Sequence, residues 1–214
     1  MSADPFASLI SDSRAFLNDL ADNNSKEWFA GNKAVYETNL KSPALALLDT
    51  VAASLEKQTG QVPSTKLFRP HRDVRFSKDK TPYHLHLHML WSTPPTGFFF
   101  GIGRDYLSVG GGIMGLDKDK LTRWRAAVDG RSGAKIAAAL VDLQASGARM
   151  DEAELKRVPA PFDKDHPQAA LLKRKSCTVW FDFDESDITK GGLVSQIETA
   201  FQKLQPLTQL LRTL

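Results

Sequence analysis

A strand pattern in the middle of the chain limits the possible folds more than any other feature. From residue 83 to residue 91, one set of alternate positions is apolar and the other carries three histidines. The apolar set is Tyr83, Leu85, Leu87, Met89 and Trp91, and the other set is His84, His86, His88 and Leu90. A period of two predicts a half-buried β-strand with the apolar set turned inward and the histidines on the opposite face.

Two more strand patterns follow this one after short connections. They lie at 98–102 and from Tyr106 through the glycines at 110–112. Connections this short are typical of antiparallel hairpins, because a parallel crossover needs a dozen or more residues. One further strand pattern, 177–183, comes late in the chain.

Helical patterns lie on both sides of this strand region. Apolar residues recur there at spacings of three and four, which indicates amphipathic helices. The predicted helices lie at about 6–20, 25–41, 43–57, 117–129, 134–145, 167–172 and 187–214, the last interrupted near Pro206, and 61–65 reads as a linker. We therefore predict an α+β fold with N-terminal helices, a central antiparallel sheet covered on one face by helices, and a C-terminal helix.

The length of the chain, 214 residues, fits one domain. We expect a single domain over 1–214 whose regions follow one another along the sequence. They are a helical region 1–60, a strand-rich cationic middle 66–115, a helical region 117–172, the strand 177–183 and the C-terminal helix 187–214.

Composition excludes several classes of protein. No apolar run approaches the ~20 residues that a membrane-spanning helix needs, so no membrane partner is expected. The N-terminus lacks the basic and apolar regions of a secretory signal. Cys177 is the one cysteine, which excludes an intrachain disulfide and a cysteine-rich zinc module. A reducing compartment fits this usage, and we expect a cytoplasmic location.

The charge is concentrated in the middle of the sequence. Residues 66–175 hold 20 basic and 12 acidic side chains, a net charge of +8, whereas the whole chain carries +3. The densest part is 66–83, with six basic and two acidic side chains. Such a zone raises the local concentration of anions through its electric field.

Residues 66–83 read KLFRPHRDVRFSKDKTPY and supply the candidate binding groups. Arginine forks bind phosphate or carboxylate through two parallel hydrogen bonds. The candidates are Arg69, Arg72 and Arg75 as anion clamps, Lys80 as a further cation, Tyr83 as a hydrogen-bond donor, and Asp73 as a group that orients an arginine or acts as a base. The alternative is a salt-bridge network within the loop, because Arg72 precedes Asp73 and Lys78 and Lys80 flank Asp79. The surplus of +4 favours an external anion.

The same segment carries a resemblance to a known family. Its pattern Arg69-x-x-Arg72-Asp73-x-Arg75-Phe76-x-x-x-Lys80-x-x-Tyr83 resembles the signature of a bacterial and fungal family catalogued as domain of unknown function 2461. The similarity extends over most of the chain. Further matching features are Asn24-x-Lys26-Glu27-Trp28-Phe29, Gly110–Gly112, Leu155-Lys156-Arg157-x-Pro159 and Lys173-Arg174-Lys175. The resemblance implies no activity, so no catalytic role is carried over.

The three histidines have two interpretations. Histidines two residues apart on a strand can share a metal ion when a neighbouring strand supplies further ligands, which makes His84, His86 and His88 metal candidates. A polar strand side that faces solvent or a ligand is the favoured interpretation, and no metal site is predicted.

Three functional hypotheses remain open at this point. The favoured one is binding of a small anionic ligand, bearing phosphate or carboxylate, in an arginine-rich concavity. The second is an enzyme acting on a phosphorylated or carboxylated substrate, with Asp73 or His86 as the acid–base group. The third is a non-catalytic module that binds a protein or a nucleic acid. The sequence assigns neither a cofactor nor an oligomeric state.

Overall fold

A computed structural model describes residues 4–214, apart from the side chains of residues 189 and 190. The first three residues of the predicted helical region 1–60 thus lie outside the described residues. The elements are α1 (Leu9–Asp22), α2 (Lys26–Gly31), α3 (Lys33–Val35), a π-helix (Tyr36–Lys41), α4 (Ser42–Thr59), β1 (Ser64–Leu67), β2 (His86–Thr93), β3 (Thr96–Gly103), β4 (Leu107–Ile113), α5 (Lys118–Asp129), α6 (Arg131–Ala145), α7 (Ala169–Leu172), β5 (Cys177–Asp182), α8 (Glu185–Gly191) and α9 (Leu193–Leu211).

The strands form one five-stranded antiparallel sheet in the order β1-β2-β3-β4-β5. Each strand pairs with its neighbour in sequence, as the short connections between β2, β3 and β4 require. Helices precede and follow the sheet, so the predicted α+β class is confirmed.

Alternation along β2 decides which of its faces is buried. Leu87, Met89 and Trp91 are at most 2% exposed, whereas His86 and His88 are half-buried on the other face. The indole of Trp91 donates a hydrogen bond of 2.9 Å to the carbonyl of Leu48 in α4, which fixes the apolar face against that helix. The predicted burial of the apolar set is confirmed for these three residues.

The structure corrects several predicted boundaries. The strand begins at His86 rather than Tyr83, and Tyr83 makes a separate bridge with His71. Part of the predicted linker belongs to β1, which starts at Ser64. The predicted C-terminal helix 187–214 is instead two helices, α8 and α9, separated at Gly192, and α9 runs through Pro206 without interruption. A proline removes one backbone hydrogen bond, but Leu204 and Leu207 beside it are fully buried and hold the helix in place.

The described residues divide into two compact units, each discontinuous in sequence. The first unit consists of the residues up to Trp91, Phe99–Val109 and Asp182–Thr199. It therefore contains α1 to α4, the whole of 66–83 and the histidines. Its aromatic core joins Phe16, Phe29 and Tyr36, whose ring centroids lie 5.3–5.9 Å apart.

The second unit consists of Ser92–Phe98, Gly110–Phe181 and Ala200–Leu214. Asp117 begins α5 by accepting a hydrogen bond of 2.9 Å from the backbone N–H of Lys120. Trp124 of α5 is fully buried and donates to the carbonyl of Leu171 at 3.2 Å. No helix among the described residues is both long and apolar enough to cross a membrane.

Candidate functional site

The cationic segment 66–83 folds as an irregular hairpin that extends β1 and β2. Three backbone hydrogen bonds join its two arms: Phe68 donates to His88, His84 to Pro70, and Arg72 to Pro82, at 2.7–2.9 Å. Beyond Arg72 the chain turns through residues 73–81 and returns. The hairpin places Arg69 along one arm and Arg75 and Lys80 near its tip.

The N-terminal region also supports this hairpin. The side-chain amide of Asn24 donates to the carbonyl of Tyr83 at 3.0 Å and accepts from its N–H at 3.1 Å. The rings of Tyr83 and Phe29 stack with centroids 4.1 Å apart. The segment thus contacts the N-terminal region through Asn24, which lies between α1 and α2, and through Phe29 of α2. Tyr83 is 5% exposed, so its ring belongs to the core more than to an open binding surface.

Arg72 is committed to the tip of the hairpin. Its guanidinium lies 2.5 Å from a carboxylate oxygen of Asp79 and donates to both the carbonyl and the hydroxyl of Thr81. Asp79 also accepts from the Thr81 backbone and hydroxyl. These hydrogen bonds, followed by the charge of Arg72, lower the pKa of Asp79 to about 2.

Arg75 and Lys80 are partnered within the same tip. The Nε and Nη2 atoms of Arg75 bond the two carboxylate oxygens of Asp73 at 2.9 and 2.7 Å. Both side chains are exposed, at 77% and 48%, so Asp73 orients a solvent-facing arginine and not a buried one. Lys80 donates to the carbonyl of Val74 at 2.9 Å. For Arg72, Arg75 and Lys80 the geometry matches the salt-bridge alternative.

Arg69 differs from the other cations of the hairpin. It is exposed, and within the described part of the chain no hydrogen bond or ion pair engages its guanidinium. Two clefts open beside it, one on each side of residues 66–71. Lys66, Arg69 and His71 line both clefts.

The helix-side cleft lies between residues 65–71 and the N-terminal helices. It has a volume of about 610 Å³ and is lined, besides 65–71, by Phe29, Lys33, Tyr36, Glu37, Lys41 and Leu45. Three of these residues belong to the π-helix, an element that often marks functional sites. Burial raises the pKa of Tyr36 to about 12, so its phenol is neutral and free to donate a proton in a hydrogen bond.

The charge of the helix-side cleft is strongly positive. Its cations are Lys33, Lys41, Lys66 and Arg69, and its one carboxylate is Glu37. Glu37 pairs with Lys41 at 2.7 Å. The amine of Lys66 lies 4.6 Å from the centroid of the Phe68 ring, which holds it at the wall of the cleft.

The strand-side cleft is formed by the same segment together with the start of β2. It has a volume of about 380 Å³ and is lined by residues 66–69, His71, Asp73, His84 and His86. The candidate acid–base groups Asp73 and His86 are therefore brought to one cleft with Arg69. Arg72, Arg75, Lys80 and Tyr83 do not line either cleft.

The three histidines form a stack, here called the imidazole ladder (His84, His86 and His88). The ring centroids of His86 and His88 are 3.7 Å apart with planes inclined by 10°, and those of His84 and His86 are 4.7 Å apart at 28°. The ladder ends on one side where Nε2 of His88 lies 2.6 Å from the hydroxyl of Tyr106. Its other end, His84, reaches the strand-side cleft.

Glycines make room for the closed end of the ladder. A Cβ at Gly101 would lie 3.0 Å from the His88 ring, and one at Gly103 would lie 2.0 Å from the ring of Tyr106. These two rings therefore rest directly on the backbone of β3. A side chain at either position would displace them.

Burial keeps the ladder uncharged at neutral pH. Desolvation, with the mutual repulsion of the rings, lowers the pKa of His86 and of His88 to about 4. The pKa of His84 is lowered by burial and then by the charges of Arg72 and Arg69. The rings stack face to face, so the ladder presents ring planes to its neighbours. Among the described residues no group of three histidine, cysteine or carboxylate side chains is placed to hold a metal ion, and the prediction that no metal is bound stays a prediction.

Comparison with known families shows which family the chain belongs to. A family model described as a conserved hypothetical protein, DUF2461, matches residues 12–210. The chain belongs to the DUF2461 family. A comparison with curated proteins gave no match. The DUF2461 match covers both compact units and includes the hairpin, both clefts and the imidazole ladder.

Sequence reasoning missed two groups of this DUF2461 site. Lys33 and Lys41 lie far from the hairpin in sequence, and only their spacing around Glu37, four residues on either side, signals a shared helical face. Tyr106 was read as the start of a strand, whereas it closes the ladder from a turn. Cys177 is buried, which raises the pKa of its thiol to about 12 and leaves it inert.

Proposed function

We propose that this DUF2461 protein binds a small anionic ligand through Arg69 and Lys66, in the clefts that flank residues 66–71. The observation that carries the proposal is the charge of the helix-side cleft, where four cations and one carboxylate line the walls and the carboxylate pairs with Lys41, which leaves a surplus of three positive charges. Cations gathered in one concavity repel one another, and an anion between them relieves that repulsion. Arg69 is the central group because its fork remains available.

The size of the cleft supports a small molecule as the ligand. A volume of about 610 Å³ lies within the range of pockets that hold small ligands, ~300–1,000 Å³. Phe29 and Leu45 give it an apolar wall, and the neutral phenol of Tyr36 adds a hydrogen-bond donor. A ligand with an apolar body and more than one negative charge fits this lining.

Thermal unfolding in the presence of anions tests the proposal. Phosphate, pyrophosphate and dicarboxylates are added at low salt, because surface electrostatics weaken as ionic strength rises. An anion at 100 times its Kd should stabilise the fold by ~2.7 kcal/mol, which raises Tm by roughly 5–10 °C. Arg69→Gln and Lys33→Gln should each reduce that rise.

Lys78→Gln is the matched control, since it removes the same charge from an exposed position of the hairpin that lines neither cleft. It should leave the anion response unchanged. The proposal is wrong if no anion raises Tm, or if Lys78→Gln weakens the response as much as Arg69→Gln does.

An enzyme remains the second candidate function, and the strand-side cleft favours it. That cleft puts Asp73 and His86 beside Arg69, the arrangement expected of an acid–base site on an anionic substrate. Their pKa values argue for binding instead. His86 has a pKa of about 4. The hydrogen bonds that Asp73 accepts from Arg75 lower the pKa of its carboxyl group, so both groups are weak bases at neutral pH. Loss of turnover in His86→Gln, with ligand binding retained, would favour the enzyme.

The cytoplasmic location belongs to the same proposal. A protein with one buried cysteine and no disulfide suits a reducing compartment. Fractionation of cells that express the tagged chain tests it, and recovery in a secreted fraction would contradict it.

A further inference from the structure

The imidazole ladder has one closed end and one open end. At the closed end, His88 is held by Tyr106 and by the backbone of Gly101. At the open end, His84 is half-buried, and its ring contact within the described part of the chain is with His86. The stack therefore terminates in a planar heteroaromatic ring at the wall of a cleft.

Two cations line the cleft that the open end reaches, and one of them, Arg69, acts on His84 through its charge. Lys66 and Arg69 line the strand-side cleft together with His84. The carboxylate of Asp73 in the same cleft makes its hydrogen bonds with Arg75 and attracts Arg69 only through its charge, so the fork of Arg69 is left without a hydrogen-bonded carboxylate among the described residues. A ring plane next to a free guanidinium suits a ligand that joins a flat ring to an anionic group.

From this geometry we infer that the strand-side cleft takes a nucleoside phosphate as its anionic ligand, whose base continues the imidazole ladder against His84 and whose phosphate contacts Arg69. The inference rests on the proposed function, because Arg69 supplies the anion contact in both. Any of the nucleic-acid bases can stack on an aromatic side chain, since every base has a π-face. A volume of about 380 Å³ suits a mononucleotide more than a longer strand.

The test compares ligands that share a phosphate and differ in the base. Binding of AMP, UMP, ribose 5-phosphate and inorganic phosphate to the full chain is measured by calorimetry at low salt. Stacking on one aromatic side chain should make each mononucleotide bind about ten-fold more tightly than ribose 5-phosphate. The ring protons of His84 should shift in NMR spectra when AMP is added and not when phosphate is added.

Variants separate the base contact from the phosphate contact. His84→Ala should bring the affinity of AMP down to that of ribose 5-phosphate and leave ribose 5-phosphate unchanged. His84→Phe keeps a ring plane and should retain the ten-fold ratio, which also guards against a general loss of folding in the alanine variant. Arg69→Gln should weaken all the phosphate ligands, and Lys78→Gln none of them.

Each contrary outcome points to a different failure. If ribose 5-phosphate binds as tightly as AMP and depends on Arg69, the anion site stands and the nucleotide inference is wrong. If no phosphate ligand binds, the nucleotide inference is wrong, and if no dicarboxylate raises Tm either, the anion site is wrong as well. If a ten-nucleotide single strand binds more than ten-fold more tightly than AMP at the same salt, the site is one for nucleic acid, which also overturns the inference.

Discussion

Arginines in the same motif have unlike roles because their partners differ. Arg72 is 22% exposed and bonds Asp79 and Thr81, whereas Arg75 is 77% exposed and pairs with Asp73, two residues before it. The sequence predicted that these charges matter but not which of them bind one another. That choice depends on the turn at Asp79–Thr81, and no periodicity in the sequence encodes it.

Replacing the two arginines should reveal this difference. Arg72→Ala removes three contacts across the tip and should lower Tm by roughly 2–5 °C. Arg75→Ala and Asp73→Ala should leave Tm unchanged, because exposed ion pairs add little to stability. Thermal melts of the three variants at one ionic strength provide the measurement. An equal fall in all three would show that the tip acts as one network.

Strand β2 shows how much of a structure the alternation of apolar and polar residues can predict. The alternation correctly placed Leu87, Met89 and Trp91 inside and the histidines on the other face. It could not predict the ladder, because ring stacking depends on the rotamers of the histidines and on room above Gly101. It also missed the end of the strand, since Tyr83 continues the alternation while lying outside β2.

The ladder should make the stability of the protein depend on pH. His86 and His88 have pKa values of about 4 in the fold, against 6.5 as the reference value. The unfolded chain therefore binds more protons between these values, and stability is lost as pH falls from 6.5 towards 4. The loss is at most ~3 kcal/mol for each histidine. Asp79 and Asp73 contribute only at lower pH, because their pKa values are lowered in the fold.

Denaturant unfolding at pH 7 and pH 5 measures this effect. The wild-type chain should lose stability between the two values, and His86→Gln should lose clearly less. Tyr106 contacts the ladder at His88, and burial raises its pKa to about 12, so it stays uncharged in this interval. A wild-type profile that is flat between pH 7 and pH 5 would mean that the histidines remain accessible to water.

At the scale of the whole molecule, the sequence predicted the class and the antiparallel pairing of β2, β3 and β4, but not β1, the place of β5 or the partition. Short connections after β2 and β3 required these strands to be neighbours, whereas nothing in the sequence placed β5 beside β4. The two compact units divide β3 between Phe98 and Phe99, where the sequence has no break. Contacts of these residues with others that lie far away in the sequence decide that boundary. The expectation of a single domain stays a prediction.

The first unit should not fold from its continuous part alone. Residues 4–91 lack Phe99–Val109 and Asp182–Thr199, which belong to the same unit. The missing stretches include Phe100, Ile102 and Leu107, which are at most 1% exposed and so belong to its core. We expect a fragment of residues 1–91 to melt without a cooperative transition in circular dichroism. A sharp transition would show that the helices and the hairpin form a core of their own.

The hairpin is attached through the side-chain amide of Asn24, and an amide group can deamidate. It holds Tyr83 as a neighbouring strand would, with one N–H and one carbonyl group. Asparagine side chains deamidate slowly in water, and the product here would be an aspartate. The carboxylate accepts hydrogen bonds but donates none, so it would face the carbonyl of Tyr83 with like polarity. Asn24→Asp, the product of deamidation, should therefore weaken the hairpin's attachment, because the hydrogen bond donated to the carbonyl of Tyr83 is lost.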